Sequence, residues 1–145
     1  MSFRLRSHTA DVAVEATADT LGGVMAAVAD GMAAAMCEDV PDGGDRHSLE
    51  VTAEGPEALL FDYLDDLIYE RDVRSVLPVD NEAAVIEPGD AGSGSGGDGT
   101  WTLEGSYRGV PLAGLDARDL KAVTYSEMEL TETDDGWRAY VVFDV

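Results

Sequence analysis

Apolar residues occupy every second position at Phe3 and Leu5, and again at Ala10, Val12, Val14 and Ala16. A period of two predicts one or two strands that are buried on one face only, with Asp11 and Glu15 on the face opposite Val14. After an N-cap signal at Asp19 and Thr20, the spacing becomes helical. The apolar positions of this first predicted helix are Leu21, Val24, Met25, Val28, Met32 and Met36. The chain therefore begins as a strand region followed by a helix.

A second helix is predicted from Gly55 and Pro56, because proline is well tolerated in the first turn of a helix. Its apolar positions are Leu59, Leu60, Tyr63, Leu64, Leu67 and Ile68. Strand patterns fill most of the remaining chain: residues 49–53, a strand pair at 73–79 and 83–86, and then 101–107, 121–131 and 137–144, with residues 109–119 irregular. The sequence thus predicts an α+β fold, with two helices packed on a largely antiparallel β-sheet.

The segment 88–99 is rich in glycine and lies between two strand patterns. It has neither the Lys-Ser/Thr pair nor the strand-to-helix context of a phosphate-binding loop. We therefore predict a flexible hairpin loop here and not a domain boundary. At 145 residues the chain is expected to form a single domain spanning 1–145.

The chain is strongly acidic, with 30 Asp and Glu against 9 Lys and Arg, and a formal net charge of -21. Direct binding to nucleic acid is disfavoured, since affinity for phosphates comes largely from basic side chains that release counterions. The acids are spread along the whole chain, which favours adaptation to high salt, where repulsion between charges is screened. The alternative is an acidic protein that docks on a basic partner, and the two interpretations are compatible.

The predicted compartment is the cytoplasm. Neither a signal peptide nor an apolar run long enough to span a bilayer is present in the sequence, so no membrane association is expected. Cys37 is the single cysteine and cannot form an internal disulfide. It falls at the end of the first helical pattern, so we interpret it as a packing thiol.

Three acidic groups lie at predicted strand ends: Asp11, Asp144 and the terminal carboxylate of Val145. Oxygen ligands of this kind suit a hard divalent cation such as Ca²⁺, Mg²⁺ or Mn²⁺. The spacing alone does not place residues 11 and 144 together, and both could equally be surface acids. The metal site is therefore one of two interpretations at this point.

Four segments resemble the archease family. They are residues 7–11 (Ser-His-Thr-Ala-Asp), the helix around 59–67, the strand beginning at 121 (Lys-Ala-Val-Thr-Tyr) and the ending 136–145. They occur in the order found in the family and span essentially the whole chain. The first and last segments are quite specific, whereas the helix is generic by itself.

The resemblance implies a small α+β protein whose metal site uses the aspartate of the first motif and the aspartate near the C-terminus. Carried over to this sequence, these are Asp11 and Asp144, with Val145 adding a carbonyl or carboxylate oxygen. The implied function is that of a non-catalytic accessory protein for the GTP-dependent, RtcB-type RNA ligase that joins tRNA halves. Such a protein promotes guanylylation of the ligase and lets it turn over repeatedly.

Further positions remain open. His8 could orient a ligand, contact the partner, or serve as a structural hydrogen-bonding residue. Lys121, the lone lysine, is expected to form an ion pair with Glu127, Glu129 or the acids of the metal site. Ser126 departs from the family, which usually has histidine there, and serine neither titrates near neutral pH nor supplies a nitrogen ligand.

Two other functions compete with the accessory role. The first is a chaperone-like modulator of RNA-modifying enzymes such as tRNA methyltransferases. The second is a metal-dependent hydrolase that uses His8 with Asp11. The sequence offers neither a nucleophile motif nor a second histidine near these acids, which counts against the hydrolase.

Overall fold

The computed structural model describes residues 2–7, 11–88 and 99–145, with nine regular elements in these ranges. The two helices are α1 (Leu21–Met36) and α2 (Pro56–Arg74). The strands in chain order are β1 (Ser2–Ser7), β2 (Asp11–Ala18), β3 (Asp45–Ala53), β4 (Val76–Ile86), β5 (Trp101–Pro111), β6 (Ala122–Thr133) and β7 (Gly136–Asp144).

The strands form two antiparallel sheets. The first has the order β1-β2-β7-β6 and the second the order β3-β5-β4. The α+β class predicted from the sequence is confirmed. The division of the strands into two sheets follows from pairing between distant segments, which local periodicity does not reveal.

Both helices contact both sheets. Helix α1 packs against β1, β2 and β7 of the first sheet and against β4 of the second. Its backbone approaches its neighbours very closely, because a Cβ added at Gly22 would lie 2.4 Å from the Ala83 carbonyl oxygen. A Cβ at Gly31 would lie 2.5 Å from a methyl carbon of Val14. These glycines let an almost wholly buried helix sit against both sheets, and only a side chain smaller than alanine's fits at either position.

The boundary between α2 and the next strand differs from the prediction. The strand pattern over 73–79 is wrong for Val73, which lies in the last turn of α2. The helix ends at Ser75, whose left-handed φ of 55° marks the C-cap, and its N–H bonds to the Arg71 carbonyl. The predicted strand pair is one strand, β4, with a register shift between Val79 and Glu82.

Two smaller outcomes complete the fold. The segment predicted as irregular from Gly109 begins instead as strand, since β5 continues to Pro111. The predicted loop 88–99 falls mostly on residues outside the described ranges, so its flexibility and the single-domain assignment stay predictions. Among the described residues, no helix is both long enough and apolar enough to cross a membrane.

Candidate metal site at the end of the first sheet

Asp11 and Asp144 lie directly opposite each other in the first sheet. Asp11 is the first residue of β2, Asp144 is the last of β7, and the two are Cα partners in the antiparallel register. Directly opposed residues in such a pair project from the same face, with Cβ atoms about 4.5–5.5 Å apart. The structure therefore brings together the two aspartates that the sequence alone could not place side by side.

This juxtaposition follows from the alternation of β2. Val14 and Ala16 are buried on the face that meets α1, so Asp11 falls on the opposite face. The same alternation in β7 buries Phe143 and turns Asp144 outward. Asp11 is half-buried and Asp144 is exposed, so the pair forms an accessible acidic point at the strand ends. We call these two residues, together with Val145, the tip.

The backbone of the tip is held on both sides of β7. Asp144 pairs with Asp11 of β2 and with Ala122 of β6. The Lys121 N–H donates to the Asp144 carbonyl oxygen at 2.8 Å. Val145 is half-buried against the hydrophobic core, which limits the movement of the final residue. The positions of the two aspartates are thus fixed by backbone pairing instead of by side-chain contacts.

A buried arginine holds the segment that leads into β6 beside the tip. Arg71 of α2 is only 7% exposed, and its Nη1 donates to the Leu120 carbonyl oxygen at 2.7 Å. The same guanidinium bonds to Asp72 at 3.0 Å and lies 3.6 Å from Asp119. Because Leu120 precedes the residue that bonds to Asp144, Arg71 ties α2 to the start of β6. Sequence reasoning missed this residue, and one charged residue among the apolar positions of a helix was the available signal.

The donor set of the tip fits a hard cation. Two like charges directly opposite each other on a sheet destabilise it unless something neutralises them. Among the residues whose side chains the structure describes, none forms an ion pair with Asp11 or Asp144. Carboxylate oxygens are the ligands that Ca²⁺, Mg²⁺ and Mn²⁺ prefer. The described residues hold no group of three or more His, Cys, Asp and Glu side chains suited to a metal. The candidate ligands that the structure places together at the tip are Asp11 and Asp144, with Val145 next to Asp144.

The outcomes for three further residues named in the sequence analysis, His8, Lys121 and Cys37, differ from one another. His8 lies outside the described residues. The ion pair expected for Lys121 is not formed: within the described ranges its exposed side chain pairs with no acid, and Glu129 instead lies 3.4 Å from Arg138. Lys121 acts through its main chain, and sequence reasoning had no means of foreseeing that. Cys37 is buried, as expected of a packing thiol.

Ser126 lies in an irregular stretch of β6, where the pairing register shifts between Thr124 and Glu129. Glu127 in this bulge has a left-handed φ of 61°. Next to Ser126, the ring of Tyr125 stacks on Phe61 of α2 with centroids 4.2 Å apart. Burial, followed by the charge of Asp62, raises the pKa of Tyr125. The departure at Ser126 thus lies on an exposed bulge of β6, four residues from Ala122, which pairs with Asp144 at the tip.

With this geometry in hand, comparison with known proteins gives a consistent result. The model of the Archease protein family matches residues 3–145. The chain belongs to the archease family. An archease from Methanosarcina barkeri is 31% identical over 146 residues, covering 99% of this chain and 95% of the relative. One from Pyrococcus furiosus is 26% identical and covers 95% of this chain and 94% of its own length.

Solved structures agree with this archease assignment. The solution structure of Methanobacterium thermoautotrophicum protein 1598 has a TM-score of 0.80 at 27% identity and covers 99% of both chains. The crystal structure of an archease from Thermotoga maritima, described as a possible chaperone, has a TM-score of 0.61 at 19% identity. At that identity the second likeness supports the fold alone.

Proposed function

We propose that this archease is a non-catalytic accessory protein that activates the GTP-dependent, RtcB-type tRNA-splicing RNA ligase in the cytoplasm. In this role it promotes guanylylation of the ligase and allows multiple turnovers. The observation that carries the proposal is the tip, where Asp11 and Asp144 face each other without a cationic partner among the described residues. Membership of the archease family supports the choice of this ligase as the partner.

In this proposal Asp11 and Asp144 hold a divalent cation (Ca²⁺, Mg²⁺ or Mn²⁺) together with an oxygen of Val145. A hard cation with so few protein ligands, when bound, keeps coordination positions for water or a phosphate oxygen. The chain's own contribution is to position two carboxylates at an accessible strand end and to fix their backbone by pairing with β2 and β6. Such a tip can enter the nucleotide pocket of a partner enzyme.

The charge of the chain favours a protein partner over RNA. A net charge of -21 opposes contact with phosphates, so the RNA would be handled by the ligase alone. We therefore expect no measurable affinity of the isolated protein for tRNA at physiological ionic strength.

The test is a multiple-turnover RNA ligation assay with the ligase of the same organism, GTP and Mn²⁺, at high salt. Substoichiometric wild-type protein is expected to raise the number of turnovers, and Asp11→Ala and Asp144→Ala variants are expected to lose that effect. Glu15→Gln is a control, because it removes one acid from the same strand and the same face as Asp11. If folded Asp11→Ala and Asp144→Ala proteins still stimulate ligation fully, the tip is not required for activation of the ligase.

The same assay separates the competing functions. Suppression of aggregation of a tRNA methyltransferase, without metal or GTP and without ligase stimulation, would support the chaperone-like role instead. Turnover of a generic phosphoester with Mn²⁺ would support a hydrolase.

A further inference from the structure

One face of α2 is left uncovered by the fold. Its residues recur at helical spacing, at positions 62, 65, 66, 69 and 73, and all are exposed. Two of them are large and apolar: Tyr69 is 61% exposed and Val73 is 60% exposed. Exposed apolar side chains that gather on one face mark interaction sites more often than scattered ones do.

An aromatic stack extends this face onto β6. Tyr125 is 54% exposed, and its ring lies nearly parallel to that of Phe61, with an interplanar angle of 3°. Among the described residues, four large hydrophobic side chains are exposed, and Tyr69, Val73 and Tyr125 are three of them. We call Asp62, Asp65, Asp66, Tyr69, Val73 and Tyr125 the α2 face.

The acids of the α2 face have no internal cation. Asp62, Asp65 and Asp66 form no ion pair with any described residue, whereas Glu70, on the neighbouring side of the helix, bonds to Arg74 at 3.0 Å. Burial, followed by the charges of Asp65, Glu70 and Asp62, raises the pKa of Asp66. A cation brought to this face from outside would relieve the repulsion among the carboxylates.

The α2 face leads toward the tip. Phe61 stacks on Tyr125, and ten residues later along the helix Arg71 bonds to the Leu120 carbonyl. Helix α2 therefore runs antiparallel to the first half of β6. The C-terminal end of α2 lies near the start of β6, where Ala122 pairs with Asp144. The face spans about 16 Å between Asp62 and Val73 at 1.5 Å per residue. The C-terminal end of the α2 face thus lies at the same end of the first sheet as the tip.

We propose that the α2 face binds an arginine-bearing basic segment of the protein partner that receives the tip. A guanidinium stacks on the exposed ring of Tyr125 or Tyr69 while it donates hydrogen bonds to a neighbouring aspartate. A second copy of this chain is the wrong occupant, since it would bring another 21 negative charges to an acidic surface. This inference rests on the proposed function in one respect, because the partner tested is the ligase.

The test compares two triple variants that lose the same charge. One carries Asp62→Asn, Asp65→Asn and Asp66→Asn on the α2 face. The control carries Asp42→Asn, Asp134→Asn and Asp135→Asn, which are exposed acids outside that face. A third variant, Tyr125→Ala, removes the stacked ring but no charge. Circular dichroism and thermal melting verify that each is folded, and binding to the purified ligase is measured by biolayer interferometry at fixed salt.

We expect the face triple variant and Tyr125→Ala each to weaken binding about tenfold or more, while the control triple variant binds like wild type. Equal weakening by the two triple variants would reduce the effect to net charge and overturn the proposal. Unchanged binding of the face variants, or no complex with wild type, would also overturn it. Binding that behaves as expected, without any stimulation of ligation, would overturn the proposed function and leave the docking face intact.

Discussion

Two groups of acids lie on the same face of the first sheet, and they differ in whether a cationic side chain of the protein pairs with them. About 13 Å along β2 from Asp11, counted as four residues, Glu15 pairs with Arg138 of β7. Arg138 also lies 3.4 Å from Glu129 of β6, so one guanidinium joins three strands. We call these three residues the Arg138 cluster. At the tip, Asp11 and Asp144 face each other with no such cation among the described residues.

The difference separates a structural arrangement from a candidate binding site. The Arg138 cluster satisfies its carboxylates within the protein, and the hydrogen bonds that Arg138 donates to Glu15 and Glu129 raise the pKa of Arg138. The tip places two carboxylates together, and no cationic side chain that the structure describes pairs with either of them. In a chain with 30 acids, an acidic patch is uninformative by itself, whereas two acids in direct cross-strand register are a specific arrangement.

The largest expected effect is on stabilisation by metal. At a concentration about 100 times its dissociation constant, Mn²⁺ should stabilise the wild-type protein by about 2.7 kcal/mol. The Asp11→Asn/Asp144→Asn variant should show no such gain, because its ligands have lost their charge. Thermal melting with and without Mn²⁺ measures both, and a full gain in the double variant would mean that the cation binds elsewhere.

The second largest effect is expected from Arg71, which holds the segment beside the tip. Replacing Arg71 with Met should lower the free energy of unfolding by about 2 kcal/mol, because it leaves the buried carbonyl of Leu120 without its donor. Urea denaturation measures the loss. Since Leu120 precedes the residue bonded to Asp144, affinity for Mn²⁺ should also fall. An Arg71→Met protein with wild-type stability and affinity would show that this anchor does not matter.

A smaller effect is expected from the Arg138 cluster. Arg138→Met should cost about 1 kcal/mol, since the side chains of this cluster are partly exposed and such pairs contribute little. Affinity of the tip for Mn²⁺ should not change. If Arg138→Met weakened metal binding as strongly as a tip variant, the two acid groups would not be independent and the comparison would fail.

The smallest effect is expected from Glu70, a carboxylate that also has its hydrogen-bond partners within the protein. This effect depends on pH. Burial tends to raise the pKa of Glu70, but hydrogen bonds from Tyr107 and Arg74 outweigh it, and the pKa is lowered from its ordinary 4.5. The stabilisation is therefore complete above pH 4.5 and is lost as the pH falls through the lower folded-state value. Glu70→Gln should cost about 0.5 kcal/mol at neutral pH, since the Gln amide oxygen can still accept a hydrogen bond. In urea titrations this difference from wild type should shrink below pH 4.5, and a cost independent of pH would contradict the assignment.

Local patterns predicted much of the fold. The alternation through Val14 and the helical spacing that begins at Leu21 were confirmed by β2 and α1, with Thr20 as the N-cap. The strand predicted over 73–79 included Val73, yet Val73 is an exposed residue of the last turn of α2. The residue type at the boundary between a helix and a strand does not show which of the two elements the residue belongs to.

The site needed more than local patterns. Asp11 and Asp144 were candidates from their residue type and the family resemblance, but their pairing joins the two ends of the chain. Register between distant strands is set by the whole sheet, so no spacing in the sequence encodes it. The stack of Phe61 on Tyr125 was missed for the same reason.

The most direct test of the tip is a calorimetric titration of the purified protein with Mn²⁺. Wild type, Asp11→Asn and the control Glu15→Gln would be compared at the same salt concentration. The account predicts one site in wild type and in Glu15→Gln, with affinity lowered about 100-fold or more in Asp11→Asn, as expected when a ligand charge is lost. Equal affinity in all three proteins, or no binding to wild type, would contradict the claim that the opposed aspartates form a cation site.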